Sequence, residues 1–189
     1  GQITVRDPDA TTAHDISPAG LSRRDAGQPR EQAVQQALEP SGEPLAEPAE
    51  PSLVLLAPAD GVPSTEWEAL LGSGIPHLAA RVVEVTGIVG PLVVPGRSSC
   101  LRCHDLHRAD RDPAWPKVVA QAGHRRPRVP ACDVTLAAEV AALAAQQALA
   151  YLDGYPTAVI DGTVEVSLPY GLPRRRSWRP HPSCGCTWS

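Results

Sequence analysis

Methionine is absent from the sequence. The chain begins at Gly1 and shows neither a start residue nor a secretory signal peptide, so a cut or processed N-terminus is expected, with more sequence upstream. Lysine is almost absent too, Lys117 being the only one among seventeen Lys plus Arg. With a small formal net charge of −4 and basic residues that are almost all Arg, non-specific nucleic-acid binding is not indicated. No uninterrupted run reaches the roughly eighteen apolar residues that cross a bilayer. The richest stretch, Leu136 to Leu152, carries Glu139, Gln146 and Gln147, so the expectation is a soluble protein with no membrane partner. Five cysteines are an odd number for a secreted disulfide scaffold, and the close pairing of four of them suits metal chelation in a reducing compartment, the cytoplasm.

A length of 189 residues is enough for one core and predicts a single domain or most of one. Gln2 to Arg6 is β-branched and stops at Asp7-Pro8-Asp9, which predicts a buried strand of a parallel sheet ending in a turn. Pro29 to Leu38 has helical spacing, with Pro29 suited to a first turn. Residues 39–52 are rich in Pro, Glu, Ser and Ala, a composition that buries little, and predict a flexible loop. Leu53 to Ala57 predicts a covered strand, Thr65 to Leu71 a helix, and His77 to Val83 and Ile88 to Val94 two further strands. This order implies crossover connections and a parallel sheet. Val134 to Leu152 predicts the longest helix, capped by Asp133, stopped by Gly154, with Leu136, Val140, Leu143, Ala144 and Tyr151 near one face. Three short β segments follow, Ala158 to Ile160, Thr163 to Leu168 and Arg174 to Trp178, with Asp161-Gly162 as a hairpin turn between the first two.

Cys100-Leu101-Arg102-Cys103 is a C-x-x-C knuckle, and Cys184-Gly185-Cys186 supplies a second pair far downstream. Two loops with two thiolates each satisfy tetrahedral Zn2+ and leave no position for water, which is the pattern of a structural site. Free thiols, disulfides and redox chemistry are the alternatives, but a redox C-x-x-C normally stands by itself at a helix N-terminus. His104, His107 and His181 are near enough in sequence to replace a cysteine and are expected instead to support the site or lie at the surface. Cys132, among Val129, Ala131 and Val134, is expected to be a buried, inert thiol. Trp115, Trp178 and Trp188 are expected to pack around the metal lobe. The clusters His124 to Arg128 and Arg174 to Arg176 could bind an acidic peptide or phosphate, although a solvated face is the commoner meaning of such runs.

Gly87 to Cys103 (GIVGPLVVPGRSSCLRC) resembles the segment by which ThiF/MoeB-type, ubiquitin-activating-enzyme-like adenylyltransferases enter their first zinc knuckle, and the terminal PSCGC resembles the second. Ile3 to Asp9 resembles the family's second strand ending in D-x-D, Asp25 to Arg30 its D-x-G-x-x-K, and Leu53 to Asp60 the strand leading to its metal-side aspartate. The resemblance implies an α/β, Rossmann-like, mostly parallel sheet lacking its first glycine-rich βα unit, with a C-terminal zinc-stapled helix and β-hairpin region, all in one ThiF-like domain over 1–189, truncated at the N-terminus. It also implies a protein that uses ATP and Mg2+ to adenylate the C-terminal carboxylate of a small protein or peptide. Asp7 would then hold the ribose with Asp9 beside it, Arg30 would replace the family lysine, and Asp60 would stand near Mg2+. The family's phosphate-binding N-L-x-R-Q run falls at Asp15 to Ala19, where Pro18 replaces the arginine; loss of such a charge is costly for adenylyl transfer. This departure resembles the ThiF-like partner proteins of azoline-forming (TOMM) cyclodehydratases, which present a leader peptide to a YcaO-type enzyme. The implied function is a degenerate, peptide-binding scaffold, the alternative is an active adenylyltransferase, and relatives commonly form homodimers.

Overall fold

In the computed structural model of the chain, residues 3–17, 20–38, 50–58, 64–122 and 132–187 are described. The chain divides into two compact units, Gly1–Glu50 and Pro51–Ser189.

The first unit is built from tight capped turns and one helix. Two single-turn 3-10 helices, Ala13–Asp15 and Arg23–Asp25, each begin with a reciprocal capping box, Thr12 with Asp15 and Ser22 with Asp25. Each box satisfies donors that so short a helix would leave open. Helix α1 spans Arg30–Leu38, directly after Pro29, and buries Ala33. The strand expected over Gln2 to Arg6 is not formed over residues 3–6, and Ile3 is 58% exposed. The reason is local. The Gln35 side-chain amide of α1 accepts from the Val5 amide and donates to the Ile3 carbonyl, so a side chain fills the place of a neighbouring strand.

The second unit is a five-stranded mixed sheet in the order β1-β2-β3-β4-β5, comprising β1 Val54–Leu56, β2 His77–Val83, β3 Thr86–Val93, β4 Gly162–Ser167 and β5 Arg174–Ser177. Helix α2, Ser64–Gly72, makes the crossover between β1 and β2, the parallel pair. The other three pairings are antiparallel, which corrects the mostly parallel expectation. Glu84 and Val85 are the sole link between β2 and β3. A link of two residues allows a hairpin, whereas a parallel return needs about a dozen. The Ala158 to Ile160 strand is also corrected: these residues form a turn whose Val159 carbonyl accepts from Leu92.

Helix α3, Leu101–Arg111, and α4, Trp115–Ala122, follow β3, and α5, Val134–Leu152, precedes β4. The α5 bounds match expectation, with the Asp133 carboxylate accepting from the Thr135 amide and Gly154 at positive φ beyond its end. Among the described residues α5 alone is long and apolar enough, by length and composition, to cross a membrane. Its Leu136, Val140 and Ala144 are buried in one core cluster with Leu78, Ala80, Val89, Leu92, Val164 and Val166 of the sheet. A Cβ on Gly87 would stand 2.2 Å from Val140 Cγ2, so glycine there lets helix and strand approach. A second cluster, Trp67, Ala79, Val93, Cys100, Leu101 and Cys103, uses strand residues that alternate with those of the first and therefore belongs to the other face.

Candidate metal centre

The segment after β3 is shaped to deliver two sulfurs. Ser98 Oγ accepts from the Val94 amide at 2.8 Å, and the Ser99 amide donates to Asp161 Oδ1 at 2.7 Å, which fixes the approach to α3. Cys100 occupies the N-cap of α3 in extended conformation and makes no side-chain cap bond, so its sulfur is turned elsewhere; Cys103 lies one turn on, and both are fully buried. After β5 the chain returns, and Gly185 at φ +76 reverses it between Cys184 and Cys186, a conformation that disfavours any other residue.

The four sulfurs converge. Cys100 Sγ lies 3.8 Å from Cys103 Sγ and 3.5 Å from Cys184 Sγ, and Cys103 Sγ lies 3.3 Å from Cys186 Sγ. All four lie within 4.8 Å of one another, a group able to hold a metal ion. None is bonded to another as a disulfide. An ion 2.3 Å from each of four tetrahedral thiolates sets sulfur–sulfur edges of about 3.8 Å, so the donor set fits such an ion with small adjustments.

Electrostatics point the same way. The Cys103 thiol is drawn down to about 4, first by the Cys100 thiol donating to it and further by the His181 amide at 3.3 Å. Cys100 is pushed up, chiefly as the donor in that pair, and Cys186 is pushed up to about 12, chiefly by burial. Of these three thiols Cys103 alone is favoured as a thiolate, and a divalent ion would supply the charge that lets the others ionise.

The histidines take supporting places. His181 donates its amide to Cys103 Sγ and its carbonyl accepts from Cys184 N at 2.9 Å, so one residue touches both cysteine pairs. Its Nδ1 accepts from the Ser183 amide, leaving Nε2–H to donate to Asp110 Oδ2 at 2.9 Å. His107 Nε2 donates to the Arg179 carbonyl at 2.9 Å. His104, 2% exposed, stacks on Trp178 with ring centroids 4.8 Å apart and is held near 3 chiefly by burial, so it stays neutral. Trp178 Nε1 donates to Thr163 Oγ1, and Trp115 Nε1 donates to Asp105 Oδ1. Cys132 corrects its expectation: it is exposed, with its thiol donating to the Asp133 carbonyl.

The residues picked out for a nucleotide are placed unequally. In the first unit Asp7 Oδ2 accepts from Arg30 Nη1 at 3.0 Å, Arg30 Nε lies 3.5 Å from Asp15 Oδ1, and Arg30 Nη2 donates to the Ala10 carbonyl. Asp9 donates its amide to Asp7 Oδ1, closing the turn at Pro8. Asp60, Pro18, the His124 to Arg128 cluster, Trp188 and residues 39–49 lie outside the described residues. Reasoning from sequence passed over Asp110 and Asp161. Asp161-Gly162 gave only a turn signal, and Asp110 gave none, because its partner stands 71 residues away.

No protein-family model and no curated protein matches the chain. Solved structures do. Escherichia coli MccB with AMPCPP and MccA superposes with a TM-score of 0.72 at 15% identity, covering 97% of this chain and 58% of that one. The microcin C7 biosynthetic enzyme MccB with N-formylated MccA gives 0.71 at 16%, covering 96% and 58%. PaaA gives 0.60 at 15%, covering 90% and 62%. The chain thus spans about three fifths of the length of the structures it matches. Over nearly all of its own length it has the fold of the microcin C7 biosynthetic enzyme MccB.

Proposed function

We propose that this chain is a zinc-stapled, ThiF-like, peptide-binding protein whose nucleotide site is degenerate, acting as a scaffold that presents a peptide to a YcaO-type partner enzyme. Cys100, Cys103, Cys184 and Cys186 would hold Zn2+ in a closed structural site. The observation that carries the degenerate reading is the state of Arg30. Its guanidinium, set by resemblance on the phosphate side, is engaged by Asp7 and Asp15, and Asp7 is the carboxylate that would otherwise accept a ribose hydroxyl. Acid and base satisfy each other and leave little charge for ATP. Calorimetric titration of the full-length protein with ATP and Mg2+ should give no tight binding, and ATP–pyrophosphate exchange should stay at background. Tight binding accompanied by exchange would overturn the proposal.

A second reading, an active adenylyltransferase acting on a peptide or protein C-terminal carboxylate, is favoured by the fold shared with MccB, whose structures hold ATP, AMPCPP and MccA. In that case exchange is measurable and Asp60→Ala abolishes it, with Asp60 acting beside Mg2+. Unchanged exchange in Asp60→Ala would reject this second reading.

A further inference from the structure

The sheet face opposite α5 carries charge. Strand register sets Arg81, Ile88, Glu165 and Arg174 in one row from β2 to β5, and Arg176 shares that face two residues along. Helix α3 adds Asp105, Arg108 and Arg111 around Trp178. The guanidinium carbon of Arg108 lies over Trp115 at 4.9 Å and over Trp178 at 5.2 Å, and that of Arg111 lies over Trp178 at 5.6 Å.

The carboxylates present do not balance these cations. Arg176 is paired with Glu165. Among the described residues the ion pair of Arg108, whose side chain is 19% exposed, is with Asp105 at 3.7 Å, longer than a hydrogen bond, and the same Asp105 oxygen already accepts from Trp115. Arg81 is half-buried, near Arg108, Asp105 and Glu165, yet among the described residues its guanidinium makes no ion pair or hydrogen bond. Burial and the neighbouring guanidiniums both lower the proton affinity of Arg81 and Arg108. A guanidinium covered on its faces by aromatic rings keeps its in-plane N–H fork for a ligand, and that fork matches a carboxylate or phosphate.

We propose that Arg81, Arg108, Arg111 and Arg176 form an oxyanion-binding site that takes a carboxylate or phosphate group on the arginine-bearing side of the buried Trp178. The site lies in the second unit and does not involve Asp7 or Arg30, so ATP–pyrophosphate exchange can succeed or fail without bearing on it.

Two probes separate the sources of such an anion, inorganic phosphate and an acetylated, amidated tetraglutamate peptide, each titrated into the zinc-loaded full chain by calorimetry. Saturable binding at one site is expected for at least one of them. A stronger response to the peptide assigns the site to peptide carboxylates, and a stronger response to phosphate assigns it to a free ion. Arg108→Gln and Arg81→Gln should each weaken binding about tenfold, the effect of one charge-assisted hydrogen bond. Glu165→Gln removes a competing carboxylate and should tighten it, a gain that misfolding cannot imitate. No saturable binding of either probe, or affinities that all three substitutions leave unchanged, would overturn the site.

Discussion

Asp110, on the last turn of α3, holds the imidazole of His181 through a 2.9 Å contact, and His181 in turn donates its amide to Cys103 sulfur. The Asp110 side chain is 66% exposed, so little else depends on it. Its effect is to orient the loop that brings Cys184 and Cys186 to the site, the kind of support that typically governs metal affinity by tenfold or more. Asp110→Ala is therefore expected to lose zinc to a competing chelator at roughly tenfold lower chelator concentration, with fold and helix content unchanged by circular dichroism. Zinc retention equal to the parent would show that His181 is held without it.

Elemental analysis of the purified chain should return about one zinc per molecule, as a closed four-thiolate site requires. Cys186→Ser should leave a three-thiolate site with markedly less bound metal, and stripping the parent with a strong chelator should lower its melting temperature, since an ion bound only by the folded state stabilises that state. A melting temperature indifferent to both treatments would refute a structural metal.

Gly87→Ala tests the contact between α5 and β3. The added methyl would overlap Val140 Cγ2 and meet Leu136 Cδ1 at 3.3 Å, so the Val140 side chain or the helix that carries it must shift. Overpacking of this kind costs about 1–3 kcal/mol, read as a lower urea midpoint at constant slope. Val140→Ala in the same chain should recover part of that loss, because the two residues share one space. Purely additive losses would place the strain elsewhere.

His77 gives the pH dependence. Its ring is fully buried at the start of β2, Nδ1 donates to the Ile75 carbonyl, and burial holds its proton affinity below that of a free histidine. The folded state therefore binds the proton less readily than the unfolded state. The stability it contributes is complete above the unfolded value of about 6.5 and is lost as the pH falls through that value toward the lower folded one. Urea denaturation at neutral and mildly acidic pH should show a loss in the parent that His77→Gln, which cannot gain the proton, reduces. Equal acid losses in the two proteins would exclude His77 as the source.

What could be seen in the sequence was whatever local periodicity and chemistry determine. The α5 bounds, the β2 residues and the gathering of four cysteines followed from helical spacing, a covered apolar run and paired thiols. Sheet direction was not so determined. The apolar runs of β2 and β3 look alike whichever way they pair, and the deciding fact was the two-residue link at Glu84 and Val85. The first segment failed for a related reason, since β-branched residues at Ile3 and Val5 favour extension but cannot create a neighbour, and Gln35 took that role. Helices α3, Leu101–Arg111, and α4, Trp115–Ala122, were not anticipated: the first cysteine pair was read as lying in a loop, and α4 has only 8 residues in which a helical period could show. At the cysteine cluster the candidate ligand types were visible, whereas the clamp by Asp110 and the Asp161 tie to Ser99 depend on contacts 71 and 62 residues apart in sequence, which no local pattern reveals.

Cys100 and Cys184 are 84 positions apart, and the stretch between them contains α5 and β4, which build the apolar side of the sheet remote from the sulfurs. A metal ion held by the four thiolates would join the ends of that stretch only once both pairs are in place, so its binding would favour the assembled sheet over any arrangement with one side undone. Assembly of the two sides would thereby become interdependent, and removing the ion would weaken the hold on the far helix as well as on the loops that carry the sulfurs.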